Sequence, residues 1–350
     1  MGCSNDLKED EKKNDLKNNF IVGEITVEDD DHKHLRIINS YEEYVRYEKE
    51  KGNKNLLDEK EANKNENEIK ENIEIEINNK KIPFNYFFDF EEKGIYSIKY
   101  KFKKPIKNMS HLFDDCRNIL NLDFSNFYSQ NVTNMSYLFQ SCSKLESINF
   151  SNFNTQNVTD MSFMFHFTSF YEMDLSNFNT QNVTDMSFMF CYSYISELDL
   201  SHFNTKNVTN MRAMFGCCHY LRSLNLSNFN TQNVTDMSQM FRDCDKLESL
   251  DLSSFNTQNV NNMAGMFVNC HEINRINLSS FNTEKVKDMC VMFGDCYNLE
   301  SLDLSNFKTQ DDTNLHQMFG GFSVGKENFL AKDKNIINEY NKGNYSDDDY

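Results

Sequence analysis

The sequence predicts an α/β fold: a solenoid with a short helix plus a parallel strand in each rung, fronted by a small β-rich N-terminal cap domain. Three observations predict it. From Met109 to Phe319 one unit recurs nine times, with markers at Met109, Met135, Met161, Met186, Met211, Met237, Met263 and Met289 and Leu315 in the ninth place, a step of 26 or 25 residues. A fixed period of this size is the mark of stacked repeats. Within a unit, apolar residues sit at 0, +3, +4 and +7 from the marker, as in Met237, Met240, Phe241 and Cys244, a spacing that one helix face would gather. Then follows L-x-x-L-x-L, as in Leu247, Leu250 and Leu252, whose last two leucines alternate with polar residues as in a half-buried strand.

Taken in order, residues 1 to 19 are charged, Asn-rich and nearly free of apolar side chains, the composition of a disordered tether. Met1, Gly2 and Cys3 open it. Gly2 exposed by removal of Met1 is a myristoylation acceptor, and Cys3 beside it is where a palmitoyl group would go; two chains are what stable anchoring needs. Asp6 stands where the myristoylation pattern prefers Ser or Thr. Residues 20 to 104 read as a β-rich domain: FIVGEITV (20 to 27) and Leu35 to Ile38 as strands, Ser40 capping a helix from Tyr41 to Lys51, a charged mobile insert at 52 to 68, then Ile73 to Ile77, an Asn78-Asn79 turn, Ile82 to Phe84, Phe87 to Phe90 and Tyr96 to Phe102 as hairpins. Residues 105 to 325 form the repeat solenoid of eight to nine rungs, and residues 326 to 350 an acidic tail.

Inside each repeat, Thr235 or Asp236 is placed to cap the helix, Phe255 and Val260 point inward, and Asn256-Thr257 makes the bend. A single copy is too small to bury a core of its own, so neighbours must supply it. The pattern decays at the far end, where Asp312, Leu315 and Phe322 replace Val, Met and Cys.

The net charge of -18 argues against nucleic acid as a partner, because phosphate binding needs clustered Lys and Arg. Residues 105 to 325 carry 12 basic and 23 acidic residues, which favours cations or proteins with a basic surface. No run of 18 apolar residues occurs, and residues 1 to 19 lack the apolar core of a secretory signal. The expected address is the cytoplasmic face of a membrane if the chain is acylated and the cytoplasm otherwise, with the cell surface as the alternative.

Six of the ten cysteines, Cys116, Cys142, Cys218, Cys244, Cys270 and Cys296, share the +7 place; without a C-x-x-C pair they read as stacked interior thiols rather than zinc ligands. Cys217 and Cys290 fall outside that ladder and are expected to be more reachable. The eight histidines show no common rung position, and only His32 and His34 beside Asp29 to Asp31 cluster locally. No metal or cofactor site is assembled, and no rung carries an acid-base pair or nucleophile arrangement that would indicate an enzyme. The N-V-T tripeptides at Asn131, Asn157, Asn182, Asn207 and Asn233 match the glycosylation acceptor pattern, but they recur because the unit recurs.

The strand face carries the candidate partner-binding residues. An acid-or-amide position runs through Asp123, Asn149, Asp174, Asp199, Asn225, Asp251, Asn277 and Asp303, with Ser125 to Ser305 as a serine ladder beside it. A variable position includes Glu172, Glu197 and Arg275. Glu172, Asp174, Glu197, Asp199, Asn225, Asp251, Arg275, Asn277 and Asp303 are therefore the residues expected to meet a partner.

The units FNTQNVTDMSFMF (153 to 165 and 178 to 190) and FNTQNVTDMSQMF (229 to 241) resemble those of the BspA-like leucine-rich repeat family. That resemblance implies a leucine-rich-repeat-like fold and a role in adhesion or protein recognition without catalysis. The expected function is a non-enzymatic, membrane-tethered scaffold or recognition protein. The alternatives are an extracellular surface adhesin of BspA-like type and a purely structural or regulatory spacer.

Overall fold

The computed structural model describes residues 18–28, 34–52 and 64–343. The chain forms two compact units, one of residues 1–160 with 167–179 and the other of residues 161–166 with 180–350.

In the first unit the elements are β1 (Phe20–Val27), β2 (His34–Arg36), α1 (Tyr41–Glu50), α2 (Glu66–Asn72), β3 (Ile73–Ile77), β4 (Lys80–Ile82), β5 (Phe87–Asp89), β6 (Gly94–Phe102), β7 (Ile119–Asp123) and β8 (Ser147–Asn149). Ser40 caps α1 by accepting from the Glu43 N–H at 3.2 Å, as its place before an amphipathic run predicts. Asn78 and Asn79 take positive φ of 47° and 62°, the pair of left-handed residues that a two-residue hairpin turn requires. A six-stranded sheet runs β4-β3-β6-β1-β7-β8, antiparallel up to β7 and parallel between β7 and β8. The N-terminal sheet thus continues through backbone hydrogen bonds into the first repeats. Gly23 sits where this junction is tightest: a Cβ there would lie 2.5 Å from the Asn121 carbonyl oxygen.

The predicted α/β solenoid with a helix in every rung is not what the chain builds. Among the described residues, α-helix is confined to α1, α2 and α3 (Lys334–Gly343), and the strands form small sheets. The segment after each marker Met is a ribbon of turns. Its third and seventh residues are left-handed, as in Gln239 (φ 59°) and Asp243 (φ 55°) or Phe188 (57°) and Tyr192 (58°), which a right-handed helix of L-residues cannot contain. Local i to i+3 bonds close the turns, Met240 N–H to Met237 O at 3.3 Å and Arg242 N–H to Gln239 O at 3.1 Å. The intervening N–H groups donate to the following copy instead: Met237 to Asn262 O (3.0 Å), Gln239 to Ala264 O (2.9 Å), Phe241 to Met266 O (3.0 Å) and Asp243 to Val268 O (2.9 Å). A turn ribbon that repeats every four residues buries positions 0, +3, +4 and +7 much as a helix does, so the two share one apolar signature.

The expected strand is also only partly present. In the second unit β9 (Ser249–Asp251) pairs in parallel with β10 (Arg275–Asn277), and β11 (Leu302–Leu304) with β12 (Phe329–Ala331), whereas residues 197–199 and 223–225 have no strand assignment, nor do residues 172–174 in the first. The markers keep the copies in register: the residue before each Met forms a parallel bridge with its counterpart, Asn108 to Asn134 to Asp160 in the first unit and Asp185 through Asn210, Asp236, Asn262 and Asp288 to Asn314 in the second.

Core packing follows that register. Phe165, Phe190, Phe215, Phe241, Phe267 and Phe293 stack with centroids 5.6 to 5.9 Å apart. Thr180, Thr205, Thr231 and Thr257 are buried, and each hydroxyl both donates to the carbonyl and accepts from the N–H of one residue in the next copy, as Thr231 does with Asn256 at 3.0 and 2.8 Å. The Asn-Thr pair read as a bend is thus an inter-copy clasp.

Both ends of the ladder are closed by side chains that imitate a missing copy. The first-copy acceptors Asn108 O, Ser110 O, Leu112 O and Asp114 O would face a preceding repeat. They receive the Asn65 amide (3.4 and 2.7 Å), the Asn39 N–H (2.8 Å) and the Asn39 amide (2.8 Å) respectively. At the other end, in the second unit, the Gln317 N–H is taken by the Glu339 carboxylate at 3.0 Å on α3, while Ile336 and Tyr340 bury against the last copy, Tyr340 stacking on Phe329 at 4.0 Å. The segment after residue 326 therefore folds as far as 343.

Asn65→Leu conserves volume but strips the Ser110 and Asn108 carbonyls and the Tyr41 N–H of their partner. Loss of about 3 kcal/mol or more of unfolding free energy is expected, since three buried groups left unpaired cost about 1 to 3 kcal/mol each. Urea denaturation measures it, and a midpoint equal to wild type would remove the capping role.

Candidate partner-binding face

The acid-or-amide positions have a local structural task. In every case the side-chain oxygen accepts the N–H two residues on: Asp123 from Ser125 and Asn149 from Ser151 (2.8 and 3.0 Å), Asp174 from Ser176 (2.9 Å), Asp199 from Ser201 (2.9 Å), Asn225 from Ser227 (3.1 Å), Asp251 from Ser253 (2.9 Å), Asn277 from Ser279 (3.2 Å) and Asp303 from Ser305 (2.9 Å). Asp and Asn close this turn more strongly than Ser or Thr, which favours these two residue types here.

All nine residues singled out in the sequence are exposed. The first unit holds Glu172 and Asp174; Glu172 lines a cavity of about 660 Å³ with Glu28, Leu120, Lys144, Glu146 and Tyr171, and Glu28 pairs with Lys144 at 3.0 Å. The second unit holds Glu197, Asp199, Asn225, Asp251, Arg275, Asn277 and Asp303. There the acid and amide alternate copy by copy, Asp199, Asn225, Asp251, Asn277, Asp303. An amide between two carboxylates spaces the charges and bonds to one of them, Asn277 Nδ2 to Asp251 Oδ1 at 3.1 Å, which relieves the repulsion that an unbroken carboxylate row would carry. The N–H groups of Ser201 and Ser253 and the side chain of Ser305 hold Asp199, Asp251 and Asp303 below the usual carboxylate range, so all three are charged at neutral pH. Arg275 interrupts the face with an exposed positive charge, 3.7 Å from Glu300.

Other sequence readings find structural roles or none. The amides of Asn157, Asn207 and Asn233 donate to carbonyls of the preceding copy, Asn157 to Gln130 O at 2.7 Å. The +7 cysteines are free and buried, and Cys244 donates to Phe215 O at 3.1 Å. Gly2 and Cys3, as well as His32 and Asp29 to Asp31, lie outside the described residues. Among the described residues no group of three or more His, Cys, Asp or Glu is arranged to hold a metal, and no helix is long and apolar enough to cross a membrane.

Sequence reasoning missed one cluster. His219, Asp245, His271 and Tyr297 share one position at 26-residue steps, contrary to the expectation that the histidines have no common place. Asp245 lies between the two imidazoles, 2.8 Å from His219 Nδ1 and 3.2 Å from His271 Nδ1, and His271 stacks on Tyr297 at 5.3 Å. Aligning the whole chain on the 26-residue step, rather than reading only its apolar positions, would have found it.

Because the Ser253 N–H lowers the Asp251 carboxyl, the native state gains from this group above the unfolded carboxylate range and loses that gain as pH falls through the lowered value. Asp251→Asn keeps the turn and removes the titration. Its urea midpoint should lie slightly below wild type at pH 7 and fall less steeply, so that the two converge, below about pH 4; parallel acid limbs would contradict the assignment.

A family model described as "Mycoplasma protein of unknown function, DUF285" matches residues 107–223 and 217–332. No curated protein and no solved structure gives a match. The two matched stretches together take in the repeats from the first to the last and more than half of the chain, which is therefore a repeat protein belonging to the DUF285 family.

Proposed function

We propose that this chain is a non-enzymatic protein-binding repeat protein, tethered to a membrane by acyl groups on Gly2 and Cys3, that takes a partner with a basic surface on its acid-and-amide face. The observation that carries the reading is the alternation in the second unit: exposed Asp199, Asp251 and Asp303 with Asn225 and Asn277 between them. Parallel bridges hold consecutive copies of the second unit in register at the strand spacing of about 4.8 Å, so charges in alternate copies are roughly 9.6 Å apart, close to one three-residue turn of a polyproline II segment at about 3.1 Å per residue. A partner segment with Lys or Arg at every third position would match that spacing. The amides between the charges offer hydrogen bonds to its backbone. The resemblance to BspA-like repeats, with their implied role in recognition, supports the same reading, as does the acidic balance of residues 105 to 325.

The test separates binding from folding, because Asn already occupies this position in neighbouring copies. The variant Asp199→Asn, Asp251→Asn, Asp303→Asn should stay folded, with a cooperative thermal transition at most a few degrees below the wild-type midpoint. Its affinity for a labelled extended peptide carrying Lys at every third residue, read by fluorescence anisotropy, should drop by tenfold or more at low salt. A peptide of the same composition with the lysines clustered should discriminate less between the two proteins. Unchanged affinity would eliminate this face as the binding surface. For the tether, mass spectrometry of the N-terminal peptide from cells should show fatty acyl additions on Gly2 and Cys3, lost together in Gly2→Ala; an unmodified peptide would refute it.

A further inference from the structure

The donor end of the repeats, in the second unit, is closed at one place out of four. Inside the array the N–H groups at 0, +2, +4 and +6 from a marker donate to the following copy, as Met289, Val291, Phe293 and Asp295 do to Asn314 O (2.9 Å), His316 O (3.0 Å), Met318 O (2.9 Å) and Gly320 O (2.7 Å). In the last copy the same places are Leu315, Gln317, Phe319 and Gly321. The Gln317 N–H finds the Glu339 carboxylate at 3.0 Å. Those of Leu315, Phe319 and Gly321 meet no acceptor among the described residues. The first copy, in the first unit, has all four of its ladder carbonyls met. Leu315, Phe319 and Gly321 line a cavity of about 800 Å³ that the last copy shares with the Asn338, Glu339 and Lys342 side of α3. Interior copies carry Asp243, Asn269 and Asp295 at the place of Gly321, so the rim there is bare of a side chain.

We propose that this cavity is a docking groove for an extended peptide segment of a partner protein, which gives backbone carbonyls to the Phe319 and Gly321 N–H groups and an acidic side chain to Lys342. The occupant's chemistry follows from what the array itself puts at this place. For the preceding copy the acceptors are carbonyls at alternate residues of one chain lying alongside, Asn314, His316, Met318 and Gly320. An extended peptide presents its carbonyls with the same alternation, and main-chain bonding to an exposed backbone edge is a general mode of peptide capture. Glu339 holds the Gln317 place, between Leu315 and the other two open donors, so the segment is gripped at Phe319 and Gly321. The Glu339 carboxylate is spent on the Gln317 N–H and on Lys342 Nζ at 2.9 Å, which leaves the exposed ammonium of Lys342 and the Asn338 amide as the polar groups that α3 turns to a ligand. Unpaired backbone donors are costly unless something accepts from them. The groove is independent of the acid-and-amide face and takes the opposite charge.

Amide hydrogen exchange of the full chain, resolved by NMR, reads the open donors directly. Phe319 and Gly321 should exchange at least tenfold faster than Phe293 and Asp295, which hold the same places one copy back. The probe is a labelled six-residue peptide of alternating Thr and Glu. At saturation it should slow exchange at Phe319 and Gly321 about tenfold and leave Phe293 and Asp295 unchanged. Fluorescence anisotropy should then show at least tenfold weaker binding to Asn338→Trp, whose indole fills the cavity from an exposed helix position. Lys342→Gln should bind the Thr-Glu peptide no better than wild type binds a Thr-Gln counterpart. Protection of Phe319 and Gly321 in the free chain equal to that of Phe293 and Asp295 would overturn the proposal. So would absence of binding, binding that leaves their exchange unchanged, or an affinity that both variants leave intact.

Discussion

The constraint on which the rest depends is the direction of the backbone ladder. Within each unit, in the segment after a marker Met, every second N–H is consumed by a local turn and the others point toward the carbonyls of the following copy. A copy is therefore incomplete in its hydrogen bonding as well as in its core. Unpaired buried N–H and C=O groups are strongly disfavoured, so the copies must lie side by side in register. The buried threonine hydroxyls, which serve a neighbour's backbone in both directions, lock that register from within.

The same constraint explains the ends. In this segment the ladder runs one way and so leaves acceptors at one end and donors at the other, while bonds before the marker run back, as Thr235 N–H to Thr209 O at 2.8 Å; the first copy's Lys107 N–H is accordingly met by the Glu68 carboxylate at 2.8 Å. Amide side chains, Asn39 and Asn65, close the acceptor end in the first unit, and a carboxylate, Glu339, meets the donor end in the second. Arg36 sits beneath the amide cap, buried between the Phe87 and Tyr47 rings and bonded to Asn39, which fixes the cap as a unit. The aromatic and ionic detail of the N-terminal region serves the first repeat more than it serves itself.

How much of this was legible follows from what each signal encodes. The period, the buried positions, β1 and the Ser40 cap were readable, because alternation and capping report local geometry directly. The helix was not, since apolar places at 0, +3, +4 and +7 also suit a four-residue turn ribbon, and most left-handed places hold residues such as Gln239, Phe188 and Val291, with glycine only at Gly265 and Gly321. The capping role of Asn65 was hidden in a charged low-complexity stretch. Helix α3 did have a signal: Asp333 accepts the Asn335 and Ile336 N–H groups, and Ile336 and Tyr340 lie four apart on its buried side. On the candidate face the exposed positions were found. The reason for their Asp-or-Asn restriction was not, because a turn two residues long is invisible to apolar periodicity.

The repeating ladder has an evolutionary consequence. Since each interior copy receives the chemistry it hands on, inserting or deleting one whole copy leaves the terminal caps with the same groups to satisfy. Unequal recombination between the near-identical 26-residue coding segments would lengthen or shorten the array at little energetic penalty. Reach along the array, and with it the number of alternating charges on show, can drift in a lineage while the two closures stay fixed.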